Sequence, residues 1–172
     1  DEQIDKLWDD LTEAYENQTE SYFLGSVITA APKDTSSYLD IVDGQQRITT
    51  LMILFAVVRD LFPSLNRNPA NPDPSNITSK TIKSSILADD EFNRLKLYTH
   101  INHQTDFENL IINADTTQIV KPKKKQIESD EEPRYKFLNT AAMFNEKLTA
   151  KGEDYVSKFM NYLFNSVRLI RI

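Results

Sequence analysis

No cysteine occurs in the 172 residues, which excludes disulfides, thiol nucleophiles and cysteine-ligated zinc. Histidine is almost as scarce, with only His100 and His103. Helical spacing would put the two on one face as a metal pair. No acidic ligand stands between them, however, and a polar exposed turn is the simpler reading. No apolar run approaches the roughly 18 residues of a membrane span, and no signal-peptide pattern opens the chain. The expected location is therefore cytoplasmic. Basic residues fall short of acidic ones, 20 against 26, for a formal charge of −6. That balance argues against broad non-specific DNA binding by this chain alone, while leaving a local basic patch open.

What remains is ordinary globular composition, 40% hydrophobic and 27% charged. The length fits one domain with a sizeable core. The informative stretch runs from Tyr38 to Leu51. Leu39, Ile41 and Val42 read as a short strand, and Asp43-Gly44 ends it in a dipeptide that readily turns. Leu51, Met52, Leu54, Phe55, Val58, Leu61 and Phe62 then recur at helical spacing. A strand, a polar turn and a helix start thus follow one another, and helix starts attract anions such as phosphate. Asp43 would hold a metal ion or orient a ribose hydroxyl, and Gly44 would let a ligand approach the backbone. Gln45 and Gln46 offer donors and acceptors, and Arg47 a planar fork for phosphate. The plainer alternative is a capped turn with Arg47 paired to one of the many acids.

The string Asp43-Gly44-Gln45-Gln46-Arg47-Ile48-Thr49-Thr50-Leu51, preceded by Tyr22-Phe23-Leu24-Gly25-Ser26-Val27-Ile28, resembles the N-terminal domain of GmrSD-type restriction proteins. That family is described as ParB/sulfiredoxin-like and is marked by a DGQQR box after a YFLGS-like strand. The resemblance is strongest over Leu7 to Phe62. It implies an α+β fold, a small ParB/sulfiredoxin-like sheet with a helix-rich surround. It also implies a module that binds and hydrolyses nucleoside triphosphates in modification-dependent anti-phage restriction, coupled to an HNH-type nuclease outside this chain. Relatives carry a further arginine-containing box before the first helix, and this sequence begins too late to include it.

Elsewhere the residues read mainly as packing. Ile4, Leu7, Trp8, Leu11, Ala14 and Tyr15 form a helical stripe with Trp8 as a core anchor, and Asp9, Asp10 and Glu13 fall off it. Tyr22 to Ala30 reads as a strand, in which Gly25 marks either a bulge or a close approach by backbone or ligand. Residues 31–37 read as a turn-rich connection. Pro63, Pro69, Pro72 and Pro74 make 63–77 a surface loop. Thr78 to Leu87 fits a strand or a short helix, Arg94 to Tyr98 alternates like a strand, and Asp106 to Asn113 fits a short helix with Phe107, Leu110 and Ile111. Within 114–133, a second variable loop, Lys121, Lys123, Lys124 and Lys125 are answered by Glu128, Asp130, Glu131 and Glu132, as in solvated loops. Phosphate contact by those lysines is the weaker reading. Phe137, Leu138, Ala141, Phe144 and Leu148 share one helix face. After Gly152, Tyr155, Val156, Phe159, Met160, Leu163 and Phe164 share another. Val167 to Ile172 reads as a strand whose abrupt apolar end suggests a single domain, 1–172, cut at both ends.

The expected mechanism combines the resemblance with the turn. Phosphates lie over a helix beginning near Ile48, and Arg47 offsets charge developing on the phosphoryl oxygens. Asp43 holds Mg²⁺ or positions water, and Gln45 and Gln46 orient the nucleotide or the water. Gly44, Thr49 and Thr50 complete the nucleotide contacts, with Asp43, Gln46 and Arg47 as catalytic residues. The rival is a module that senses nucleotide or DNA and regulates a nuclease without hydrolysis. Direct nuclease activity would need clustered metal ligands, and apart from Asp43 none are persuasive.

Overall fold

The computed structural model describes residues 2–31, 39–66, 76–88, 95–99, 102–122 and 132–172. The chain is a mixed α+β fold. Its first helix, α1 (Glu2–Glu16), leads into strand β1 (Tyr22–Ala30) and then β2 (Asp40–Asp43). Helix α2 (Gln45–Leu61) follows one residue later, and α3 (Ser79–Ile86) comes after the proline-rich segment. Helix α4 (Gln104–Glu108) runs directly into a π-helical turn, Asn109–Asn113, and a 3₁₀ turn, Thr116–Gln118. Helices α5 (Glu132–Lys151) and α6 (Glu153–Ser166) and strand β3 (Val167–Arg171) close the described chain.

The three strands form one sheet in the order β2-β1-β3. β1 and β2 are antiparallel, with Ile28 opposite Asp43 and Thr29 opposite Ile41. β3 runs parallel to β1, pairing Tyr22 with Val167 and Ser26 with Ile170, and the register shifts between Phe23 and Gly25. The bulge expected at Gly25 is present. Arg94 to Tyr98, read as a strand, contributes only a single bridge between Leu95 and Leu87 among the described residues.

Helix α2 is the hub. Leu51 to Leu54 and Ala56 to Val58 are all buried, so the middle of the helix is apolar on nearly every side, as an enclosed stretch must be. Helices α3 and α5 pack against it, and α1, α5 and α6 together supply the aromatic cluster around Trp8. Trp8 is 5% exposed and packs between Phe144 and Phe159, at ring distances of 6.0 and 5.6 Å. Truncating such an anchor costs about 3–5 kcal/mol. The far end of α2 is fixed by polar bonds. Arg59 and Asp60 form a two-pronged ion pair, Nε to Oδ1 at 2.6 Å and Nη2 to Oδ2 at 3.0 Å. Arg59 also donates to the Ile111 carbonyl, and Asp60 accepts from both the amide and the hydroxyl of the fully buried Thr116. The start of the 114–133 segment, read as a variable loop, is therefore tied into the core.

Two loop readings stop at the edge of the described residues. Of 63–77, residues 67–75 with Pro69, Pro72 and Pro74 lie outside them; the flanks are anchored by Asn66 to the Ile77 carbonyl and by Asn161 to Asn76. Lys123, Lys124, Lys125, Glu128, Asp130, Glu131, His100, Arg94, Tyr38 and the 32–37 connection also lie outside. Among the described residues no helix is long and apolar enough to cross a membrane.

Candidate functional site

The DGQQR box lies where β2 hands over to α2, and the helix starts earlier than its hydrophobic spacing predicts. Its first residue is Gln45, not a position near Ile48. The first turn is polar, so the apolar periodicity that marks the rest of α2 is missing there. Gly44 is the N-cap in the left-handed region, with φ 93° and ψ 4°. A side chain at Gly44 would meet the Ser26 carbonyl at 3.2 Å, so the turn presses against β1. Gln45 holds it from the other side, its amide donating to the Ile41 carbonyl at 2.8 Å. The helix ladder begins with the Ile48 amide on the Gly44 carbonyl at 3.1 Å. The amides of Gln45, Gln46 and Arg47 thus have no acceptor inside the helix, and the first turn carries no acid.

Arg47 points back onto β1. Its Nη1 donates to the Ser26 carbonyl at 2.9 Å, and its guanidinium lies over the Cα of Gly25. Gly25 has φ 135°, and a Cβ there would sit 2.8 Å from Cζ of Arg47. The close approach at this glycine, expected from backbone or ligand, is made instead by the side chain of the box arginine. Among the described residues no carboxylate pairs with Arg47 within 4.0 Å. The alternative of a turn whose arginine is absorbed by a neighbouring acid finds no support there.

Beside this arginine is a cavity of about 680 Å³. Three helices present faces to it at the spacing i, i+3, i+4, i+7. On α2 these are Gln46, Thr49, Thr50 and Ile53; on α1, Gln3, Lys6, Leu7 and Asp10; on α5, Pro133, Lys136, Phe137 and Thr140. Tyr22 and Leu24 of β1, the segment from Leu97 to Thr99, and His103 complete the wall. Burial, and secondarily the charge of Asp10, hold the Tyr22 phenol above its ordinary value near 10, which keeps it a neutral donor.

Most of the residues singled out by sequence meet here. Gln45, Gln46, Arg47, Thr49 and Thr50 all line the cavity. The Thr50 hydroxyl donates to the Gln46 carbonyl at 2.8 Å, whereas the Gln46 amide group makes no hydrogen bond among the described residues. Asp43 and Gly44 are not part of the described lining: Asp43 is exposed on β2, paired across the strand with Ile28. Asp10, read as solvated, is half-buried and turned inward. His103 lies on the wall, and among the described residues no group of three His, Asp or Glu side chains could hold a metal.

Sequence reading missed Lys6, Tyr22, Tyr98, Lys136 and Phe137 as parts of this wall. The signal was there in 3-6-7-10 and 133-136-137-140, which run beside the apolar stripes of α1 and α5. A second, wider cavity of about 1330 Å³ lies against the sheet, walled mainly by apolar residues such as Val27, Ile41, Met52 and Phe164. Gln45 touches both cavities, but Gln46 and Arg47 face only the first.

Among curated proteins none matches the chain. The family model described as the GmrSD restriction endonuclease, N-terminal domain, matches residues 1–172, and the chain belongs to that family.

Proposed function

We propose that this domain binds a nucleoside triphosphate with Mg²⁺ at the DGQQR box and hydrolyses it. In this reading it is the NTPase module of a modification-dependent anti-phage restriction system, built on a ParB/sulfiredoxin-like sheet. Family membership places the chain as the N-terminal module of a restriction system and implies a nuclease partner domain. That the nuclease is of HNH type, and that DNA is reached through the full-length protein, belong to the proposal. One observation carries the reading. Arg47 is held by a backbone carbonyl rather than a carboxylate, at the unbonded start of a helix and on the wall of a cavity.

The chemistry follows from that arrangement. Free amides of the first turn of α2 suit phosphate oxygens, and the fixed guanidinium offsets charge that develops on the transferring phosphoryl group. Because the Ser26 carbonyl already orients Arg47, little reorganisation accompanies the reaction. Tyr22, Tyr98 and Phe137 offer ring faces for a base. Gln46 lines the cavity with an uncommitted amide group, which favours it for orienting water. Asp43 is the candidate for the Mg²⁺ contact. The described residues form no metal cage of their own, so the ion would arrive as the counterion of the phosphates.

The second reading, nucleotide sensing without hydrolysis, draws on one specific feature. Asp10 is the only carboxylate on the described wall, and it lies 3.9 Å from Lys6, so an acid free to act on water is lacking there. The deciding experiment is phosphate release from ATP, GTP, CTP and UTP with Mg²⁺, alongside calorimetric binding, for wild type and Arg47→Ala. Turnover that disappears in a folded Arg47→Ala variant supports hydrolysis at the box. Binding without turnover favours the sensor. Turnover that survives the substitution overturns the assignment.

A further inference from the structure

Three helices meet at the cavity, and each brings one cation to it. They are Lys6 from α1, Arg47 from α2 and Lys136 from α5, faced by the single described carboxylate of Asp10. This gathering occurs in a chain whose formal charge is −6. Resting on the nucleotide reading above, we propose that Lys6 and Lys136 complete the anion site that Arg47 begins. The polyphosphate of the ligand then bridges α1, α2 and α5.

The present engagements of the lysines fit that role. Lys6 lies 3.9 Å from Asp10, and Lys136 lies 2.8 Å from Glu132, each four residues away on its own helix. Their side chains are 77% and 56% exposed. Ion pairs of this kind contribute little because water screens them, so a multiply charged phosphate can replace them. Arg47, in contrast, is fixed by Ser26 and lies over Gly25. A triphosphate carries more negative charge than one guanidinium offsets. Two flexible ammonium groups on two further helices of the wall supply the remainder and can follow it, a task for which a lysine stem is suited. The division is between one rigid cation that sets position and two mobile ones that close around the charge.

The test is calorimetric binding of inorganic tripolyphosphate and of ATP, GTP, CTP and UTP to the intact domain. The variants are Lys6→Gln, Lys136→Gln, Lys136→Arg, Glu132→Gln and Arg47→Ala, with thermal midpoints recorded for each. Each lysine-to-glutamine change is expected to weaken binding roughly tenfold. It should also flatten the dependence of affinity on salt, with the midpoint unmoved. Lys136→Arg should retain affinity, and Glu132→Gln should tighten it by releasing Lys136, a gain that a merely structural lysine would not produce. If Arg47→Ala abolishes binding while the lysine variants bind like wild type with the same salt dependence, the three-helix site is wrong and the box reading stands. If wild type binds none of the five ligands, or Arg47→Ala binds as well as wild type, both fall together.

Discussion

Gly25 gives the guanidinium of Arg47 the space in which a side chain would begin. A Cβ at this position would lie 2.8 Å from Cζ and 2.9 Å from Nη1, in a backbone conformation, φ 135°, that side chains resist. Gly25→Ala should therefore cost about 1–3 kcal/mol of stability and push Arg47 off the Ser26 carbonyl. Gly152→Ala is the matched control. It has φ 79° and nothing within 4 Å of the added carbon, so it carries strain with no steric effect on the site. Thermal unfolding should show both variants destabilised, and calorimetry should show ligand affinity lost only in Gly25→Ala.

Asp43 and Gln46 should separate kinetically if the box hydrolyses nucleotide. Gln46 lines the cavity and Asp43 stands outside its described wall. Gln46→Ala should lower kcat about 10²-fold with KM little changed, as expected for loss of a group acting in the transition state. Asp43→Asn should instead raise the Mg²⁺ concentration needed for half-maximal rate. Steady-state rates over a Mg²⁺ titration decide the matter. Equal loss in both variants with no change in Mg²⁺ response would defeat the division of roles.

Asp60 is the polar rivet of the fold, joining Arg59 to both the amide and the hydroxyl of Thr116. Arg59 and Asp60 have side-chain exposures of only 18% and 15%. Removing one partner of such a pair leaves the other charge and its donors stranded. Asp60→Ala should cost about 3–5 kcal/mol, read as a lowered urea midpoint with an unchanged slope. Thr116→Val, which removes only the hydroxyl bond, should cost about 1–2 kcal/mol.

The surface contact of Glu16 at the end of α1 with α5 and α6 predicts a stability profile with two edges. The Lys151 ammonium, and then the Tyr155 hydroxyl, donate to Glu16 and hold its carboxyl below the ordinary 4.5. A depressed folded value means this contribution is present above pH 4.5 and lost as pH falls through the lower folded value. Burial, and then the bond to Glu16, hold the Tyr155 phenol well above its ordinary 10. With the folded value raised, its contribution is complete below pH 10 and is lost as pH rises beyond that. Urea titrations across pH should show the acid edge blunted in Glu16→Gln and the alkaline edge blunted in Tyr155→Phe.

Periodic apolar residues made much of the fold legible. The stripe of Trp8 and Leu11 and the aromatic face of α6 emerge as expected, because one face of each helix meets the core, and the strand read at Tyr22 to Ala30 is present. The Gly25–Arg47 contact was half legible: a glycine inside a strand announced a close approach, but not what approached. The start of α2 was obscured because Gln45, Gln46 and Arg47 are polar and carry no helical period. The cations that share the cavity wall with Arg47 were obscured for the reverse reason. Lys6 and Lys136 sit on helix faces that look solvated until a neighbouring helix turns toward them. The parallel partner of β1 was beyond local reading, since strand pairing over such a separation depends on the whole core.

That last pairing sets an order of assembly. Thr29 donates to the Ile172 carbonyl at 2.8 Å across a separation of 143 residues, and Ile172 donates back to Val27. Contacts of such span carry a large loop-closure cost and form slowly. Ser26, the residue whose carbonyl steers Arg47, pairs with Ile170 in the same ladder. In a polypeptide leaving the ribosome, the arginine box and the local pairing of β1 with β2 thus precede the strand that completes the sheet. The competence of the box would arrive abruptly, when residues 167–172 zip alongside residues 22–30.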